Sequence, residues 1–309
     1  MAQLPVRSNW RGMDKSRRVT IKQRSDEALG AMRVFFTLRG GFWAGGDSLS
    51  GGCSLGLMTK GDAMPPFHIL GPDRPGRWLV TCDHASNRVP DDVCGGDLGV
   101  SAQDMARHIA WDVGARGLAE ALGAALNSPV ICSDFSRLVI DANRGEDDPT
   151  LVMQLYDDTI IPGNAGIGDA EVARRLQTLH RPYHAALAQL AARRPHTVIV
   201  AMHSFTPCLR GRAPRPWAVG VLYSHLDPRL SRALIAGLRA DGDVCVGDNE
   251  PYDGHLPGDS IDRHALQKGR HNTLIELRSD LISDRAAQNH WAQRLAPALI
   301  KALEAVDAP

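Results

Sequence analysis

The chain has 309 residues, 43% of them hydrophobic and 23% charged, with zero formal net charge. That balance excludes a strongly basic nucleic-acid binder and a protein drawn electrostatically to anionic membranes, and it leaves room for one large globular domain or two small ones. No apolar stretch approaches the roughly 18 residues of a membrane span, and the six cysteines (Cys53, Cys82, Cys94, Cys132, Cys208, Cys245) contain no C-x-x-C pair. A disulfide scaffold or cysteine zinc finger is therefore not expected, and reduced thiols in a cytoplasmic protein are.

Residues 1–62 carry ten Lys/Arg against five Asp/Glu and end in a Gly/Ser-rich stretch without periodicity. They read as a disordered extension, with Met64 as an alternative start, ahead of a single catalytic domain over 63–309. In that domain the run Arg77–Cys82 predicts a buried strand closing on Asp83-His84, followed by a polar loop. Ser101-Ala-Gln-Asp104 resembles a capping box and opens a long expected helix to Leu126, striped by Met105, Ile109, Val113, Leu118 and Leu122. Strands are expected at 129–132 and 138–144, then a functional loop over 145–168. A helix over 170–193, kinked near Pro182, leads to the strand 197–202. Trp217–Tyr223 and Val244–Val246 are further strands around a helix at 228–240. A long polar loop precedes the strand Thr273–Leu277, and a helix over 284–306 closes the chain. This alternation predicts an α/β fold with a mixed, mostly parallel sheet.

In such sheets chemistry gathers beyond the carboxyl ends of the strands, and there the sequence places His84 and His203. Two imidazoles and a carboxylate with one open position form the usual catalytic zinc set. Asp112, four residues after His108 on the expected helix, is the preferred carboxylate, and Asp83 is its rival. Glu276 lies within the apolar Leu274-Ile-Glu-Leu277, where an unpaired carboxylate is costly, so it is the candidate general base. Arg278 shares its strand face. Arg137, Asn143 and Arg144 cluster at a strand end, where arginine suits an oxyanion or a substrate carboxylate. Each of these has a plainer reading as a strand terminus, an ion pair or a solvated loop. A glycine-rich run at 163–168 lacks the order and preceding strand of a nucleotide loop. Cys82 and Cys208 lack the surroundings of a catalytic nucleophile.

Six segments together resemble the N-formylglutamate amidohydrolase family. They are Cys82–Pro90, His108–Ala115, Ser136–Arg144, Arg181–His184, Ala201–Ser204 and Leu274–Ile282. The resemblance, over about residues 65–305, implies a zinc carboxypeptidase-like hydrolase with a three-layer αβα sandwich of the phosphorylase/hydrolase type. It further implies that Asn143-Arg144 binds a substrate carboxylate and that Glu276 is the base. The family group's His-x-x-Glu zinc motif is here His84-Ala-Ser-Asn87, so the third ligand must come from elsewhere, with Asp112 chosen. The implied activity is hydrolysis of an N-acyl amino acid, N-formyl-L-glutamate first. Zn2+ is the expected cofactor, His84, Asp112 and His203 its ligands, Glu276 and Arg137 the catalytic groups, and Asn143, Arg144, Arg278 and Ser204 the substrate contacts. A small-molecule substrate is the expected partner, without nucleic acid or membrane. The alternatives are a hydrolase of the same fold acting on a different N-acyl amino acid or a small peptide amide, and a non-catalytic ligand- or metal-binding protein.

Overall fold

The computed structural model describes residues 65–308, so the expected N-terminal extension lies outside the described residues. Among the described residues nine strands form: β1 (Phe67–Leu70), β2 (Trp78–Cys82), β3 (Val130–Ser133), β4 (Leu155–Tyr156), β5 (Thr159–Ile160), β6 (Val198–Phe205), β7 (Val219–Leu222), β8 (Val246–Asp248) and β9 (Asn272–Arg278). Seven of them make one sheet in the order β1-β3-β2-β6-β9-β7-β8, while β4 and β5 pair as a separate hairpin. Strands β3, β2, β6 and β9 run parallel to one another. β1 is antiparallel to β3, and β7 to β9. The sheet is thus mixed and mostly parallel, as expected.

The central strands are continuous apolar runs because both their faces are covered. One face is closed by α2 (Ala115–Ala125), α5 (Arg229–Ala240) and α7 (Arg285–Asp307), which bury leucines such as Leu118, Leu234 and Leu299 against Val80, Val200 and Ile275. The other face is closed by α4 (Arg181–Ala192) and α6 (Ser260–His264), with Tyr183, Leu187 and Ile261 against Leu79, Ile199 and Leu274. These are the three layers. The helix α3 (Asp169–Arg175) runs into a π-helical turn, Leu176–His180, and then into α4. The irregularity therefore falls just before Pro182. Among the described residues no helix is long and apolar enough to cross a membrane.

Three expectations fail. The long helix 101–126 is instead α1 (Ala102–Met105), a stretch of turns, and α2. Gly114 precedes α2 at φ +82°, and a Cβ there would lie 2.3 Å from the Ile282 carbonyl oxygen. The expected strand 138–144 is a buried run of turns. Its carbonyls go to side chains, Leu138 O to Asn164 Nδ2 at 2.7 Å and Val139 O to the buried Arg175 at 2.9 Å. The polar loop before β9 holds an unforeseen helix, α6, capped by the Asp259 carboxylate at the Asp262 amide.

Candidate active site

The register brings the strand ends together. Ala201 pairs with Thr81 on one side and Leu274 on the other, and His203 pairs directly with Glu276. Alternation then aims His203 and Glu276 at the α4/α6 side of the sheet, just where β2, β6 and β9 end. His84 follows two residues after β2, and Asp112 is fixed beside it by a backbone bond from its own N–H to His84 O at 2.9 Å. Asp112 is therefore on a turn, not on a shared helix face with His108. The apolar spacing that mimics a helix persists because Ile109 and Ala110 stay buried in the turns.

His84, Asp112 and His203 are 2 to 3% exposed, and each offers a ligand atom within 4.8 Å of the others. Asp112 Oδ2 lies 2.8 Å from His203 Nδ1 and 3.5 Å from His84 Nδ1. Behind each imidazole stands a second carboxylate. His84 Nε2 donates to Asp141 Oδ1 at 2.6 Å, and His203 Nε2 is 3.5 Å from Asp83 Oδ2. That pairing leaves both Nδ1 atoms directed at one point, which is how histidine is oriented toward a metal. Asp83 is thus a support for His203, tied down by Tyr183 Oη at 2.5 Å and Ser260 Oγ at 2.8 Å, and it stands outside the three-residue cluster.

The donor set fits a divalent cation on a second count. Twelve buried side-chain polar atoms lack a hydrogen-bond partner among the described residues, and among them are four on residues lining one cavity at this spot: His84 Nδ1, His108 Nε2, Arg137 Nε and Glu276 Oε2. At about 1–3 kcal/mol for each orphaned group, such a concentration is tolerated only where a ligand completes it. Burial works against the charge on Asp112, yet His84 and His203 hold its carboxyl well below the usual range. Burial likewise opposes charge on Asp141, and Arg137 with His84 outweighs it. Glu276 goes the other way: burial, aided by the Asp112 charge, pushes its carboxyl up to about 7.

These groups line a cavity of about 240 Å³ that also takes in Arg137, Asn143, Arg144, Ser204 and Tyr156. Arg137 donates to Asp141 Oδ2 at 2.9 Å and stands 3.5 Å from Asp112 Oδ1. Arg144 bonds Thr150 Oγ1 and Asn143 O, and no carboxylate pairs with it among the described residues. Ser204 lines the cavity, but its hydroxyl is committed to Val113 O at 2.8 Å. Arg278 is not brought to the site. Its guanidinium bonds Asp280 at 2.9 Å and the Arg215 carbonyl at 3.3 Å, and it does not line the cavity. Asp141 had gone unremarked in the sequence. Its one signal was a carboxylate four residues from Arg137, which any surface pair would share.

The N-formylglutamate amidohydrolase family profile matches residues 76–283. A gene product of Agrobacterium tumefaciens of known structure is 32% identical, superposes with a TM-score of 0.75, and is matched over 79% of this chain and 97% of its own. An N-formylglutamate amidohydrolase from Ralstonia eutropha JMP134 shares the fold at 21% identity and a TM-score of 0.53, over 79% of this chain and 98% of that one. No curated protein matches the sequence.

Proposed function

This chain belongs to the N-formylglutamate amidohydrolase family, and we propose that it is a zinc-dependent hydrolase of N-acyl amino acids, converting N-formyl-L-glutamate and water to formate and L-glutamate. The observation that carries this reading is one juxtaposition. A buried glutamate with an unpartnered oxygen is register-paired to His203 of the His84–Asp112–His203 cluster, in a cavity that also holds the carboxylate-free Arg144.

His84, Asp112 and His203 would hold the ion. When bound, zinc would acidify water and polarise an amide carbonyl. Glu276 removes a proton from the attacking water and returns it to the leaving amine nitrogen. Its pKa of about 7 suits that exchange near neutrality. Arg137, kept charged by Asp141 and Asp112 despite its burial, faces the oxygen on which negative charge develops. Arg144 and Asn143 bind the substrate carboxylate, where a guanidinium offers paired donors. A cavity of about 240 Å³ supports a small ligand, since drug-sized sites run from roughly 300 to 1,000 Å³.

The test is formate release from N-formyl-L-glutamate, before and after chelation and after zinc is returned. Chelator-sensitive release restored by zinc is the expected result. Hydrolysis of other N-acyl amino acids without formate release would replace the substrate, and no hydrolysis at all would overturn the activity.

A further inference from the structure

Residues 142–144 carry the two candidate carboxylate-binding side chains on an irregular stretch with no sheet or helix to hold it. Three buried histidines do that work instead. His184 Nε2 lies 3.0 Å from Ala142 O, and His180 Nε2 lies 3.0 Å from Arg144 O. A carbonyl only accepts, so both nitrogens carry the proton. His184 Nδ1 is therefore the bare nitrogen, and the His264 Nε2–H donates to it at 2.9 Å. The rings follow one another closely, His180 tilted 54° to His184 with centroids 4.3 Å apart and His264 stacked on His184 at 5.1 Å. Burial disfavours protonation of all three, which preserves one donor and one acceptor per ring and so the direction of the chain.

The placement follows from the helices. His180 ends the π-helical turn and His184 sits four residues on, so both share a face. His264 comes from α6, whose Ser260 amide also holds Asn143 Oδ1 at 3.2 Å. Asn143 N–H is taken by Asp141 Oδ1 at 2.8 Å. With its carbonyl oxygen occupied, the Asn143 side chain has its amide nitrogen left for a ligand. None of the three histidines lines the cavity.

We propose that His180 and His184, with His264 behind them, are positioning residues that set the 142–144 backbone so that Asn143 and Arg144 meet the substrate carboxylate together. This rests on the carboxylate-binding role given to that pair above. It separates the histidines from the hydrolytic step, so their loss should act on substrate affinity.

The zinc-loaded full chain is compared with His180→Leu, His180→Gln and His264→Leu, following N-formyl-L-glutamate kinetics, calorimetric binding of L-glutamate and zinc affinity. His180→Leu orphans the Arg144 carbonyl and is expected to raise KM and weaken L-glutamate binding on the order of tenfold, with kcat and zinc affinity within about threefold. His180→Gln, which keeps an N–H at similar reach, should recover most of the loss. His264→Leu, which leaves His184 Nδ1 without its donor, should raise KM in the same direction by a smaller factor, and an unchanged KM there would overturn the proposal where His180→Leu fails to fold. Unchanged KM and binding in a folded His180→Leu would overturn the proposal. So would a parallel fall of kcat, zinc affinity and melting temperature that His180→Gln does not rescue. A parent chain that neither hydrolyses nor binds these compounds would instead remove the carboxylate-binding reading, and this inference with it.

Discussion

The two faces of the sheet are built on opposite principles. Under α2, α5 and α7 the packing is almost wholly apolar, and the buried pair Ser231–Thr273 closes on itself at 2.8 Å. Under α4 and α6 the same sheet buries Asp83, His84, Asp112, Asp141, His180, His184, His203, His264 and Glu276 near its carboxyl edge. The first face gains free energy from burial in proportion to apolar area. The second gives part of it up, because each ionisable group must be desolvated and then matched by a partner. One face stabilises the domain, and the other spends that stability on a site.

The sharpest way to break this contrast is to remove one atom's function on the polar side. Glu276→Gln keeps shape and burial but cannot accept a proton, so kcat should fall by roughly 10²–10⁴-fold. Melting should be unchanged or higher, since a desolvated acid is removed. A loss of activity that merely tracks unfolding would place Glu276 among scaffolding residues. On the apolar side Leu299→Ala should cost about 2–5 kcal/mol of stability, read by denaturant midpoint, with kcat unaltered at temperatures where the variant is folded. Altered kcat at full folding would show that the faces are not separable.

The smallest effect is in pH. His264 is pushed down to about 4, first by burial, then by Arg263, Arg270 and Lys268 against the pull of Asp83. Above its ordinary pKa near 6.5 the ring is neutral folded or unfolded, and it adds no pH dependence. As pH falls from about 6.5 toward 4 the unfolded chain takes up a proton that the folded ring refuses, so stability is lost across that window. His264→Gln should therefore show a shallower drop in melting temperature between those limits. An equal drop would mean the ring is protonated in the folded chain.

Much of this contrast was readable in the sequence, but unevenly. β2, β6 and β9 announce themselves as β-branched runs, and His84, His203 and Glu276 could be placed from where those runs end. Asp112 stands in one cluster with His84 and His203 although its supposed helix did not form, since residues 106–114 fold as turns whose buried positions copy a helical spacing. Leu138–Ile140 shows the reverse error. Its apolarity indicates burial, but whether its carbonyls meet a neighbouring strand or the side chains of Asn164 and Arg175 is a matter of residues 26 and 36 positions away. Such partners leave no local period. The same holds for Asp141, and for the histidine chain, whose members stand 80 residues apart at His184 and His264.

The most direct test of the account is zinc stoichiometry and affinity of the purified chain, measured by titration after complete chelation, alongside Asp112→Asn. About one zinc per chain, bound tightly by the parent and much more weakly by the variant, is the predicted result. No zinc taken up by a folded parent chain, or equal binding by both, would contradict a metal centre at His84, Asp112 and His203.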